Sequence, residues 1–373
     1  MSKPIFLDAP NLGALEKTYL NQALDSNYVS TAGPFVPEFE EKFSSYLNTG
    51  GAVAVQSGTA AIHMSLYELG IKAGDEVIVP AVTFIATVNP IIYVGATPVF
   101  VDIDRNSWNI APAEIRKAIT SRTKAIIPVH LYGNPCDMGE IMDIARKHRL
   151  NVIEDATESL GATLGGKATG TFGDMGCFSF NGNKVITTGG GGMVTTASPE
   201  RAQHIKFLVN QARDGNRDYY YHPEIGFNNR MTNLEAALGL AQFQRVSEFL
   251  LKKRNFFEEY QRAFEGDERL SLQRELPGAV SSVWMSSVRF NRQKTAWKVP
   301  ELMVKLKEKG IPCRRIFQPL FESPPYQKYK TGDYPNSYEL FDNGINLPSS
   351  TLNSLEDIRY TAETLLKILD HKE

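Results

Sequence analysis

Five short runs of consecutive apolar residues, most of them followed by a polar turn and a helix-forming stretch, limit what this chain can fold into. They are Ala52-Val53-Ala54-Val55-Gln56, Val77-Ile78-Val79-Pro80, Thr97-Pro98-Val99-Phe100-Val101-Asp102, Ala125-Ile126-Ile127-Pro128-Val129-His130 and Asn151-Val152-Ile153-Glu154-Asp155. A strand with one wet face alternates apolar and polar residues, whereas continuous runs belong to strands covered on both faces. The pattern therefore predicts an α/β domain built on a largely parallel sheet. Helices are expected from Ala60 to Leu69, after the turn Ser57-Gly58-Thr59, and from about Phe84. Phe178-Ser179-Phe180 and Gly192-Met193-Val194-Thr195-Thr196 fit a hairpin-like pair.

Beyond this region the pattern changes. Ala236, Ala237, Leu240, Phe243 and Val246 recur at three- and four-residue spacings, predicting one long helix from about Thr232 to Gly266. Strands are expected at Val283–Phe290 and Ile311–Arg315, and helices at Pro300–Lys309 and Ser354–Leu369. The chain of 373 residues, at about 150 per domain, thus divides into a large α/β domain (1–245) and a smaller C-terminal α+β domain (246–373).

Composition excludes several functions. The net charge is −2 with no Lys/Arg block, so there is no electrostatic footprint for nucleic acid or an anionic membrane. Cys136, Cys177 and Cys313 are far apart and lack CxxC spacing, which reads as reduced cytosolic thiols with neither disulfides nor a zinc site. The histidines show no metal-ligand spacing: His63 and His148 read as structural or exposed, while His130 ends a strand and could face a site. Met1-Ser2-Lys3-Pro4 leads into no apolar signal segment, and no run approaches the ~20 apolar residues of a membrane span. A cytoplasmic protein without a metal is expected.

Lys184 carries the chemistry. It sits in Phe178-Ser179-Phe180-Asn181-Gly182-Asn183-Lys184, five residues after the hydroxyl of Ser179 and just before Gly189-Gly190-Gly191-Gly192. Asp155 closes an apolar strand, and ligands of open α/β sheets bind just beyond the carboxyl ends of strands. An amine able to form a Schiff base, a carboxylate able to pair with a ring nitrogen and a close-approach glycine loop suit pyridoxal 5'-phosphate (PLP). Gly58 and Thr59 lie where a strand passes into a helix, so free N–H groups and the helix dipole favour a phosphate there; the same residues also fit an ordinary helix cap. Ser179 offers a second hydroxyl. Asp155 precedes Ala156 and also fits a cap, with Glu158 either its capping partner or a second group reaching the ring. Phe84 could stack on a pyridine ring or serve as core. No GxGxxG follows an early strand and no Walker-type loop is present.

In order along the chain, Ser57-Gly58-Thr59-Ala60-Ala61, Gly74-Asp75-Glu76-Val77, Thr83-Phe84-Ile85-Ala86, Glu154-Asp155-Ala156, Ser179 with Lys184 and the glycine run, and Gly226-Phe227-Asn228-Asn229-Arg230-Met231 resemble the DegT/DnrJ/EryC1/StrS sugar aminotransferases of the aspartate-aminotransferase fold (fold type I). The resemblance covers nearly the whole chain. It implies a PLP-dependent homodimer with shared active sites. Lys184 would be the Schiff-base lysine and Asp155 the partner of the pyridine nitrogen. Gly58, Thr59 and Ser179 would hold the phosphate, Phe84 would stack on the ring, and Glu158, where many members carry Gln, would contact the ring or its hydroxyl. Asn228 would be lent to the phosphate by the neighbouring subunit.

Three departures are visible: a fourth glycine replaces the usual Glu in Gly189–Gly192, Phe84 replaces a tryptophan of some members, and Asn229 stands where tyrosine is common. A dehydratase offshoot carries histidine at the lysine, so Lys184 favours transamination over elimination at C3. The resemblance implies amino transfer from L-glutamate to C4 of a nucleotide-linked 4-keto-6-deoxy sugar. The stretches Pro128–Pro135 and Phe180–Lys184 resemble the subgroup acting on UDP-4-keto-6-deoxy-N-acetylhexosamines, which makes bacillosamine-type precursors. GDP-perosamine synthases, acting on GDP-4-keto-6-deoxymannose, are the alternative. A non-catalytic PLP- or sugar-sensing regulator is the reading from another class; the retention of Lys184, Asp155 and Ser179 together argues against it. The loops Arg213–Pro223 and Arg314–Tyr329 are expected to shape the sugar pocket, with Arg314 and Arg315 as candidate contacts for diphosphate or glutamate.

Overall fold

The computed structural model describes residues 4–371; the opening residues Met1 to Lys3 lie outside them. The apolar runs form a seven-stranded sheet. Its strands in chain order are β1 (Gly51–Val55), β2 (Glu76–Pro80), β3 (Thr97–Val101), β4 (Thr123–Ile126), β5 (Asn151–Asp155), β6 (Met175–Ser179) and β7 (Gly192–Thr196). Their order across the sheet is β1-β7-β6-β5-β4-β2-β3. Only β7 runs against its neighbours, pairing antiparallel with β1 and β6, while the other pairings are parallel. Both faces are covered, as continuous apolar strands require: Val77 and Val79 face one buried cluster and Ile78 another.

The β6–β7 pair is the expected hairpin, and its connection carries Lys184. The run Ala125–His130 forms a shorter strand than expected. Pro128 lacks the N–H that a ladder uses, and beyond Ile126 the chain keeps the Ile127 N–H bond to the Ile78 carbonyl and an isolated bridge from Val129 to Asp155. Phe84 opens a single 3-10 turn, Ile85–Thr87, rather than a regular helix, with a short helix at Asn89–Tyr93 after it.

The long helix expected from Thr232 is two helices. The first, α1 (Asn233–Gln244), starts with a capping box in which Thr232 and Glu235 satisfy each other's backbone. The chain leaves helical geometry at Arg245 (φ −101°, ψ 2°) before α2 (Val246–Ala263) begins. There Arg245 turns its guanidinium onto Glu16 at 3.0 Å and onto the Asn11 carbonyl. A regular three- and four-residue apolar spacing runs through this joint, so periodicity could not locate it.

A second, four-stranded antiparallel sheet is made of β8 (Leu270–Leu272), β9 (Ser286–Phe290), β10 (Arg314–Arg315) and β11 (Gly344–Leu347). Its apolar face packs with α2 and the helices Val299–Glu308 and Leu355–Asp370 in a separate cluster centred on Tyr260, Val288 and Leu365. The expected strands at Val283–Phe290 and Ile311–Arg315 are trimmed to Ser286–Phe290 and Arg314–Arg315. Val283 adopts φ 48°, which a strand cannot accommodate.

Candidate active site

The carboxyl ends of β1, β5 and β6 converge on one cavity of about 280 Å³, lined among others by Gly58, Thr59, Phe84, Glu158, Ser179 and Lys184. The helix Gly58–Glu68 begins at its edge, with Ser57 as the cap whose Oγ accepts from the Ala60 N–H at 3.0 Å. That leaves the N–H groups of the first turn and the helix dipole directed at the cavity. Gly58 is required by packing: a Cβ there would lie 2.9 Å from Ser179 Cβ and 3.0 Å from Thr157 Cγ2. The glycine thus brings the helix start beside the Ser179 hydroxyl. Gly192 makes the matching approach on β7, where a Cβ would fall 2.6 Å from the Ser57 carbonyl carbon.

Lys184 projects from the β6–β7 connection, which is closed by the Phe180 N–H on the Gly191 carbonyl (2.9 Å) and the Thr188 N–H on the Phe180 carbonyl (2.9 Å). Its side chain is 12% exposed and its Nζ lies 3.5 Å from Glu158 Oε1. On another side Nζ sits 3.9 Å from the centre of the Trp284 ring. Glu158 is fully buried and accepts a second bond, from the Tyr132 N–H at 2.8 Å. Burial raises its pKa and the Lys184 ammonium pulls it back, with burial prevailing.

Asp155, buried at the end of β5, does not itself line the cavity but is bonded to Thr157, which does. Its Oδ2 accepts from Thr87 Oγ1 at 2.7 Å, and its Oδ1 from the Thr157 N–H at 3.1 Å. The neighbouring Glu154 points to the other face. Its carboxylate accepts the N–H groups of Gly170, Phe172 and Gly173 at 2.6 to 2.8 Å. His130 belongs to that layer rather than to the site: its Nδ1 accepts the Cys136 N–H (3.0 Å), so its Nε2 donates to Glu154 (3.0 Å).

Phe84 is 54% exposed at the mouth, 5.8 Å from the Phe317 ring. Asn228 lies on the exposed segment after Arg213–Pro223, bridged to Asn210 and not lining the cavity. Arg314 reaches the rim and Arg315 does not. Sequence reasoning missed Trp284, Asp8 and Tyr132. Trp284 stands in what reads as the start of a strand. Asp8 comes from the N-terminal segment, where it receives bonds from Asn183 Nδ2 and Arg314 Nη1, each at 2.9 Å. Nothing local in the sequence signals either contact.

The donor set fits PLP: a helix start and hydroxyl for a dianion, a buried carboxylate for a ring nitrogen, an amine for an aldehyde, and a glycine whose absent Cβ lets phosphate-binding elements meet. Among the described residues no His, Cys, Asp and Glu cluster could hold a metal ion. Fold and site together define a fold type I PLP-dependent transferase.

Comparison with known proteins narrows this. Residues 10–366 match the model of the DegT/DnrJ/EryC1/StrS aminotransferase family, and the chain belongs to that family: it is a PLP-dependent sugar aminotransferase. It is 40% identical over 369 residues to a GDP-perosamine synthase of Caulobacter vibrioides, covering 98% of each chain. It is also 47% identical over 198 residues to a UDP-N-acetyl-3-dehydro-alpha-D-glucosamine 3-aminotransferase of Acidithiobacillus ferrooxidans, 53% of each chain. Among solved structures it resembles Spr1654 of Streptococcus pneumoniae, a candidate sugar aminotransferase solved in its PLP-form (TM-score 0.93, 28% identity, 99% of each chain).

Proposed function

We propose that this enzyme moves an amino group from L-glutamate to C4 of a nucleotide-linked 4-keto-6-deoxy sugar, and that it works as a homodimer. The observation that supports this most directly is Lys184, held beside Glu158 in a cavity bounded by the helix start at Gly58 and the hydroxyl of Ser179.

PLP, when bound, supplies an aldehyde and an electron-accepting ring that stabilises the charge left when a proton leaves the amino-bearing carbon. The chain does the rest. Lys184 would contribute the amine for the aldehyde, and as a free amine its Nζ would hold and move the proton taken from the substrate carbon. General acid–base help of this kind is worth on the order of 10²–10⁴ in rate. Asp155 would hold a proton on the ring nitrogen, and Thr87 and Thr157 orient its two oxygens. The N–H groups at Gly58 and Thr59, with the Ser179 hydroxyl, would hold the phosphate. Phe84, at the mouth, would stack on the ring, Glu158 would contact the ring or its hydroxyl, and Asn228 would be lent to the phosphate of the partner subunit. Arg314, charged at the rim, is placed for an anionic group of either substrate.

Two nucleotide readings rest on different observations. The UDP-N-acetylhexosamine reading rests on Pro128–Pro135 and Phe180–Lys184, and the half-length match to a UDP-sugar enzyme agrees with a UDP nucleotide. The GDP-4-keto-6-deoxymannose reading is supported by full-length similarity to a GDP-perosamine synthase. Incubation with PLP, L-glutamate and UDP-, GDP- and dTDP-linked 4-keto sugars separates them: 2-oxoglutarate and a product heavier by the keto-to-amine exchange should form with one nucleotide. Absence of 2-oxoglutarate with every sugar would refute the reading.

A further inference from the structure

The fold fixes one indole from three sides. Val283, just before Trp284, is β-branched yet sits at φ 48°, a region that such residues avoid and that persists only when surrounding bonds enforce it. Here the Val283 N–H is held by Ser281 Oγ at 2.9 Å and the Ser282 N–H by the Gly133 carbonyl at 3.1 Å. The Trp284 carbonyl accepts from Lys253 Nζ at 2.9 Å, and the same ammonium donates to the Ser349 carbonyl at 2.8 Å. Lys253 is buried, and no carboxylate of the described residues lies within ion-pair distance of it. A buried charge of this kind is expensive. Finally, the indole Nε1 donates at 2.6 Å to the carbonyl of Asn183, the residue that precedes Lys184. Asn183 is itself tied to Asp8 at 2.9 Å.

The outcome of all this restraint is an aromatic face 3.9 Å from the Lys184 amine. We propose that Trp284 is a positioning residue for Lys184, its ring face holding the amine in the cavity whenever the amine is not bonded to the cofactor. This rests on the reading of Lys184 as the cofactor's lysine. A lysine released by an incoming amine has four rotatable bonds and a wet exit. Glu158 alone could hold it, but a carboxylate can also take its proton. A ring face attracts the ammonium electrostatically and cannot accept a proton, so the amine stays within reach with its proton available.

The test uses full-length protein freed of PLP and exposed briefly to an amine-acylating reagent at one pH. Labelling of Lys184 is read by peptide mass spectrometry against the exposed Lys17. Trp284→Met fills the space without an aromatic face, while Trp284→Phe keeps a face and loses the N–H anchor; Trp284→Leu substitutes should the Met variant not fold. Relative labelling is expected to rise roughly three- to tenfold in Trp284→Met and to stay within about twofold of the parent in Trp284→Phe. Unchanged labelling in a folded Met or Leu variant would overturn the proposal. So would an equal rise in both variants, which would mean access rather than the ring face. Should Lys184→Ala still bind PLP with a visible lysine-linked band, the underlying reading of Lys184 fails instead, and the proposal with it.

Discussion

At the scale of single residues the site separates charges by burial. Lys184 Nζ has two neighbours, Glu158 and the Trp284 ring, and replacement of Lys184 by Ala or Arg should abolish turnover, checked by 2-oxoglutarate release. Asp155→Ala removes the carboxylate proposed to pair with the ring nitrogen; a loss of about 10²-fold or more in kcat is expected, with far-UV circular dichroism unchanged. Lys253 yields a pH prediction. Burial lowers its pKa from 10.5 to about 8, so between those values the unfolded chain binds more protons than the folded one. Stability should therefore rise with pH from about 8 to 10.5, by on the order of 3 kcal/mol for this group, and be flat below that window. The difference in unfolding free energy between parent and Lys253→Met, measured across that range, isolates the effect. A difference that stays constant with pH would show Lys253 to be unperturbed.

At the scale of elements, two glycines allow the helix start at Gly58 and the strand β7 to meet at the edge of the cavity. Gly192→Ala forces a methyl into the Ser57 backbone and should cost about 1–3 kcal/mol, read as a lower denaturation midpoint and weaker PLP binding together. The parallel strands, the β6–β7 hairpin and the strand-end position of Asp155 were legible because they are local. Continuous apolar runs announce two-sided burial, and a carboxylate after such a run announces a ligand edge. The joint at Arg245 was not legible, because apolar spacing continues across it and only contacts with Glu16 and Asn11 show where the helix breaks. Trp284 and Asp8 were missed for a similar reason. Each reaches Lys184 or its neighbour Asn183 from a segment far away in sequence, through a strained turn in one case and the N-terminal segment in the other.

At the scale of the whole molecule, Asn228 is exposed and lies outside the cavity of its own chain, as a residue serving a partner's site must. The proposed homodimer, taken as two-fold symmetric, sets up a complementation experiment. Lys184→Ala and Asn228→Ala subunits, each weak alone, should on co-refolding recover about a quarter of parental activity, because half the dimers are mixed and each mixed dimer holds one intact site. Recovery no greater than the sum of the two variants would place Asn228 in its own subunit's site or in none. Among the described residues no helix is long and apolar enough to cross a membrane. The central claim, that Lys184 is the lysine that bonds PLP, is tested most directly by reducing the PLP-loaded protein with borohydride and mapping the modified peptide. A pyridoxyl-phosphate mass on Lys184 alone is the expected result; the tag on any other lysine, or no tag on a protein that has taken up PLP, would contradict it.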